Sequence, residues 1–279
     1  MISGAEIRAL AALFSARRVG LWHACQWIDL LSYLRIGGVP SRRRLEESNS
    51  SFTPFETDAR DKENQVWDKV FFNLEDFGSA FANGARAVPN PYGPIVLDIR
   101  PEAILGATDV ALCLRSAAAK GFDRAKEALS SIRLIDALFA YPREHPEPIA
   151  RRRLKSREQL QVDHPGAGSA ELSCSVTDGF VSFSYLYGIY VDPYRFPDAT
   201  LCEHVLKVTK SLSLTHVYER RCRNASRDAL FNEIANIVVN RTPTLAELCL
   251  GPSGSNDLKN WAAGLTENNL GYRFLRFGD

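Results

Sequence analysis

The stretch Gly20-Leu-Trp-His-Ala-Cys-Gln-Trp-Ile-Asp-Leu-Leu-Ser-Tyr-Leu-Arg-Ile-Gly-Gly-Val39 constrains the fold more than any other part of this chain. Val19 to His23 is a short apolar run with a tryptophan, the pattern of a strand. Trp27, Leu30, Leu31 and Leu34 then recur at i, i+3, i+4 and i+7, which lines one face of a helix that Gly37-Gly38 closes. One turn therefore joins a strand to an amphipathic helix, with His23 at the strand's end. A histidine there reads either as a hydrogen-bonded core or turn residue, or as a group that orients a ligand.

The remaining chain mixes the same two periods. Residues 4–17 carry Ile7, Leu10, Leu13 and Phe14 at helical spacing and run into Arg17-Arg18, which suits a helix C-terminus. Residues 40–65 lack apolar periodicity and are rich in Ser, Arg, Asp and Glu, predicting a long irregular segment. Trp67 to Leu74 reads as a strand, followed by a short helix start before Phe77. The turn cluster Pro89-Asn-Pro-Tyr-Gly-Pro94 leads into strands at Ile95–Ile99 and Val110–Leu114. Residues 118–140 are Ala-rich, with Leu129, Ile132, Ile135 and Leu138 at helical spacing, predicting one helix that three prolines then end. Strand patterns follow at 170–176 and 181–191. The last 80 residues read as largely helical, at about 199–211, 226–239, 244–250 and 256–264. Strands in the middle with helices on either side predict an α+β fold.

Composition removes several classes of function. A net charge of +1 over 279 residues creates no global field toward nucleic acid or membrane, so any such attraction needs a local patch. Three local patches exist, at Arg42–Arg44, Arg151–Arg157 and Arg220–Arg223, and each reads either as a solvated face or as a phosphate-binding surface. No run of 18 apolar residues is present, which excludes a spanning helix. The first residues lack a basic start followed by an apolar run, so no secretory signal is expected. Cys25, Cys113, Cys174, Cys202, Cys222 and Cys249 are scattered, without a CxxC pair or a zinc-like spacing. A cytoplasmic protein with no metal is the expectation. Neither a P-loop nor a Rossmann glycine pattern occurs.

Trp22-His23 at a strand end, the helix through Leu34 and the closing Gly37 together resemble the opening motif of the DarT-type DNA ADP-ribosyltransferases. The resemblance implies an ADP-ribosyltransferase-like split β-sheet core, NAD as the ADP-ribose donor, and a nicotinamide-side ribose contacted by His23. Cys25 stands where that family often has a small hydroxyl residue in the NAD pocket, and Gln26 where a second histidine is common. By spacing from the Val70-Phe71-Phe72 strand, Arg60 matches the family's catalytic arginine, with Arg42, Arg43 and Arg44 as competitors. Phe72 is then a candidate wall for nicotinamide stacking, or an inward-facing core residue.

Ser169-Ala-Glu-Leu-Ser-Cys174 resembles the family's Gln-Ala-Glu-Phe-Leu-Val segment. This makes Glu171 the implied catalytic acid, with Glu158 as runner-up and Ser169 in place of the acceptor-selecting glutamine. A carboxylate suits such chemistry because it stabilises an oxocarbenium-like transition state and can take a proton from the nucleophile. Arg151, Arg152, Arg153, Lys155 and Arg157 approach that glutamate in sequence and are candidate acceptor contacts. The order of these motifs spans roughly residues 20–210, so residues 1–211 are expected to form the catalytic domain and 212–279 a helical C-terminal extension. What the resemblance implies is an enzyme modifying a nucleobase in DNA, single-stranded DNA foremost, as the toxin of a toxin–antitoxin or phage-defence pair with a separate macrodomain-type antitoxin. The alternatives are transfer to RNA, protein or a small molecule, or a non-catalytic member that binds nucleic acid or a partner.

Overall fold

The computed structural model describes residues 1–53, 57–79, 90, 92–139, 157–164, 166–168, 170–193, 199–212 and 216–220. The helices expected at 226–239, 244–250 and 256–264 lie outside the described residues, as do Arg151, Arg152, Arg153, Lys155 and Ser169.

The central element is an eight-stranded sheet in the order β1-β6-β7-β4-β2-β5-β9-β10, flanked by helices, which is the α+β arrangement expected. Its strands are β1 (Ile2–Ser3), β2 (Leu21–Cys25), β4 (Val70–Asn73), β5 (Ile95–Ile99), β6 (Ala107–Cys113), β7 (Glu171–Val176), β9 (Leu186–Val191) and β10 (Val217–Glu219). All neighbours are antiparallel except β9 and β10, which run parallel. A small second sheet pairs β3 (Gly38–Pro40) with β8 (Phe180–Ser182). β10 lies past residue 211, so the sheet itself extends beyond the expected domain limit.

Alternation along each strand sorts the side chains into two layers. One face carries Leu21, Cys25, Val70, Phe72, Leu97, Leu112, Leu172, Cys174 and Ile189, all buried. These join Leu10 and Phe14 of α1 (Ala5–Arg17) and Leu30 and Tyr33 of α2 (Trp27–Ile36) in the main core. The opposite face holds a smaller cluster of Val66, Ala111, Cys113, Ala117 and Phe122. Helix α2 begins in a capping box between Gln26 and Asp29 and ends at Gly37 in the left-handed conformation, as the Gly-Gly signal predicted.

The sheet is nearly divided in two. β2 and β5 share five residue pairs and β4 and β7 share four, yet β2 and β4 meet at the single pair Trp22–Asn73. Two four-stranded halves therefore join at one seam.

Two helical expectations change. The segment read as irregular at 40–65 contains α3 (Arg42–Glu47), capped by the Ser41 hydroxyl, and α4 (Asp58–Glu63). Helices of six residues are too short to display an apolar period, and α3 buries only Leu45. The single helix expected at 118–140 is instead α5 (Arg124–Glu127) and α6 (Ile132–Asp136), capped by Asp123 and Ser131. Between them the Leu129 amide donates to the Leu112 carbonyl of β6 at 2.9 Å, a bond to the sheet that takes the place of a helical one.

Gly93, two residues before β5, packs its backbone closely against the end of β2. Its φ is +136°, and a Cβ there would lie 2.2 Å from the Cys25 carbonyl oxygen. Gly93→Ala combines a disfavoured backbone with a clash against main chain, so it is expected to lower stability by about 2–3 kcal/mol. Thermal or urea unfolding beside the parent chain measures this.

Candidate active site

The seam places chemistry at the middle of the sheet. Across it, Cys113, Glu171, Asn73, Trp22 and Asp98 are successive cross-strand partners, one on each of five adjacent strands. Directly opposed residues in antiparallel strands share a face, so these side chains line the side opposite the main core.

Glu171 opens β7 in this row. Its carboxylate accepts a hydrogen bond from the Ala117 amide at 2.8 Å. Burial pushes its pKa up to about 7; the Ala117 amide opposes that shift, and the negative charge of Asp61 adds to it. Tyr92 is 44% exposed, and its phenol is pushed up by burial first and then by the negative charge of Glu171. A partly shielded carboxyl with a pKa near neutrality, beside an exposed phenol, is equipped to exchange a proton near pH 7.

Arg60 reaches this region from α4. Its Nη1 donates to the Ala118 carbonyl at 2.8 Å, one residue from the amide that holds Glu171. The structure thus brings Arg60 and Glu171 together through the loop at 117–119. Asp61, on the same helix, has its carboxyl pushed up to about 6, chiefly by burial and then by Asp58. Of the competing arginines, Arg42 lies nearest this chemistry, with its charge acting on His23, Asp29, Tyr33 and Asp61. Arg43 instead pairs with Glu47 at 2.8 Å on the surface.

His23 occupies the gap on the core side of the seam. Beyond Trp22–Asn73 the two strands diverge, and the His23 Nδ1–H donates to the Phe71 carbonyl at 2.8 Å. Its Nε2 accepts from the Tyr33 hydroxyl at 3.1 Å, and its ring meets those of Tyr33 and Phe72. Burial lowers its pKa to about 4, with Arg42 contributing, so the ring is neutral at pH 7. Register gives His23 and Glu171 opposite faces, and both imidazole nitrogens already have protein partners.

Two further expectations meet the core. Phe72 and Cys25 are each 1% exposed. Both pack in the main core, where the Phe72 ring also meets that of His23. Arg157 and Glu158 lie in α7 (Arg157–Asp163), where only their backbone is described. Arg220, read as part of a basic cluster, is 7% exposed and held by both carboxylate oxygens of Asp76 at 2.6 and 2.7 Å. It is a structural ion pair, and Asp192 lies 3.4 Å from its Nε. Asp61, Asn73 and Tyr92 escaped the sequence reading, two of them because they sit in segments without periodicity.

Among the described residues no group of three His, Cys, Asp or Glu side chains could hold a metal ion, and no helix is long and apolar enough to cross a membrane. No protein-family model matches the sequence, and comparison with curated proteins finds no match. Among solved structures, the chain is similar to Thermus sp. 2.9 DarT in complex with ADP-ribosylated ssDNA, at 14% identity and a TM-score of 0.41 over 75% of this chain and 95% of that one. It is also similar to Thermosipho africanus DarTG in complex with ADP-ribose, at 12% identity and a TM-score of 0.38 over 72% of this chain and 50% of that one. A Thermus sp. 2.9 DarT complex with NAD+ gives 13% identity and a TM-score of 0.37 over 72% and 95%. Similarity at this level assigns no activity, and the chemistry has to come from the residues themselves.

His23→Ala removes a side chain that bridges the seam and leaves the Phe71 carbonyl and Tyr33 hydroxyl without it. An expected loss of about 1–3 kcal/mol follows. Because the folded-state pKa of His23 is lowered, its contribution is present above the unfolded value near 6.5 and lost as pH falls toward 4. Urea unfolding at pH 5 and pH 7 should therefore show the deficit of the variant shrinking at the lower pH.

Proposed function

We propose that this chain is an NAD-dependent ADP-ribosyltransferase in which Glu171 is the working carboxylate. The observation that carries the reading is Glu171 itself, set one strand from the seam on the non-core face, held by the Ala117 amide and poised near pH 7. In the reaction, the bond between ribose C1′ and the nicotinamide nitrogen breaks, and its electron pair leaves on nicotinamide. A lone pair of the acceptor forms the new bond to C1′, and the proton shed by the acceptor passes to the Glu171 carboxylate. The same negative charge stabilises the positive character that develops at C1′.

Arg60 acts in this scheme by holding the 117–119 loop beside the carboxylate, and Arg42 supplies positive charge on the core side. The acceptor we propose is a nucleobase in single-stranded DNA, which rests on the resemblance of the Trp22-His23, Arg60 and Glu171 segments to the DarT-type DNA ADP-ribosyltransferases. Arg151, Arg152, Arg153, Lys155, Arg157 and Ser169 are proposed to contact that acceptor. A toxin role with a separate macrodomain-type antitoxin belongs to the same reading. One observation favours a second reading: the doubly engaged His23 ring leaves no nitrogen for the NAD ribose. That reading is a non-catalytic member of the fold that binds nucleic acid or a partner.

Incubation with labelled NAD and, separately, single-stranded DNA, RNA and protein decides between them. The proposal expects label on DNA and at least ~100-fold less of it with Glu171→Gln. Label on RNA or protein alone changes the acceptor, and no nicotinamide release with any acceptor selects the second reading. The carboxylate form is the active one, so the rate should rise with pH through about 7 and then level off. A rate that falls across that range would contradict the role given to Glu171.

A further inference from the structure

The end of α4 is built to hold the loop that binds Glu171. The helix finishes in a Schellman motif: the Gln65 amide donates to the Lys62 carbonyl at 3.1 Å and the Val66 amide to the Asp61 carbonyl at 2.9 Å. Gln65 takes the left-handed position with a φ of 56°, where glycine is the usual residue. This abrupt turn buries Val66 against the cluster containing Ala117, Cys113 and Phe122. It also places Asn64, the C-cap residue, over the 117–119 loop.

Asn64 uses both donors of its side-chain nitrogen there. Nδ2 donates to the Ala117 carbonyl at 2.7 Å and to the Ala119 carbonyl at 3.3 Å. Arg60, one turn earlier, donates to the intervening Ala118 carbonyl. Three successive carbonyls of the loop are thus taken by two side chains of one helix end. Their neighbour in the same loop, the Ala117 amide, points the other way and holds the Glu171 carboxylate.

We infer that Asn64 is a positioning residue for Glu171: by clamping the carbonyls of Ala117 and Ala119 it aims the Ala117 amide at the carboxylate. Asn64 touches no reacting atom in this scheme, and its effect is transmitted across the Ala117 Cα, from the peptide unit that follows it to the one that precedes it. Two donors on one nitrogen suit this task, because a hydroxyl or an aliphatic side chain cannot bridge two carbonyls. The inference rests on Glu171 being the working carboxylate, but the clamp can be read without any turnover.

The test uses the full chain labelled with 15N-alanine. As pH rises, ionisation of Glu171 should move the Ala117 amide resonance with a midpoint near 7, and Glu171→Gln should abolish that titration. Asn64→Leu is expected to cut the titration amplitude by more than half, and Asn64→Gln, which keeps the donors, to restore part of it. Asn64→Ser provides the same loss of bridging should the leucine variant not fold. In nicotinamide release, the leucine variant should lose about 10- to 100-fold in kcat, with little change in KM for NAD. An Ala117 titration that is the same in Asn64→Leu and Asn64→Ser as in the parent chain would overturn the inference. A titration lost as expected in a chain that never releases nicotinamide would uphold the clamp and sink the transferase reading instead.

Discussion

The rest of the structure depends on how few backbone bonds join β2 to β4. A sheet of eight strands ordinarily distributes its cohesion over every ladder, but here two halves meet at Trp22–Asn73 alone. The His23 imidazole makes up part of the deficit by donating to the Phe71 carbonyl, which the diverging β2 backbone leaves unpaired in the ladder. A buried carbonyl left without a donor costs about 1–3 kcal/mol, so a side chain must stand in where the ladder stops. That requirement explains a neutral histidine in the core better than its isolated chemistry does. It also explains why the opposite face can host a carboxylate, since the interrupted ladder leaves the middle of the sheet open to polar groups.

Charge on that face is managed by different means at different points. Asp76 and Asp192 are answered by Arg220, whose guanidinium also lies 5.5 Å from the Tyr190 ring. Asp98 has burial and the nearby Asp76 pushing its carboxyl up to about 7, and Glu171 reaches the same value through burial, with Asp61 adding to the shift. A raised carboxyl weakens the folded state as pH rises from its unfolded value toward the folded one, so these groups carry a stability cost at neutral pH. Asp192 carries the same cost inside the ion pair with Arg220, so what sets Glu171 apart is its place beside Tyr92 and the Ala117 amide.

Much of this was legible in the residues. The β2–α2 unit follows from one apolar run, a helical period and a closing Gly-Gly, and the cap between Gln26 and Asp29 agrees with it. Phe72 falls in the core because it shares a face with Val70, and alternation alone favours that placement. Glu171 sits at the head of its strand, as the local pattern implied. What stayed hidden depends on contacts distant in sequence. The clamp of Asn64 on residues 117 and 119 has no local signature, and neither has the bond from Leu129 to Leu112 that divides α5 from α6. Helices α3 and α4 were missed because six residues hold too few apolar positions to show a period.

A crystal structure of Glu171→Gln with NAD bound tests whether Glu171 is the working carboxylate. Ribose C1′ is expected within roughly 3.5 Å of the residue 171 side chain, on the face shared by Asn73 and Trp22. NAD held instead in the groove of about 810 Å³ at the far end of β7, lined by Arg43, Arg44, Asp68 and Asp178, would contradict it.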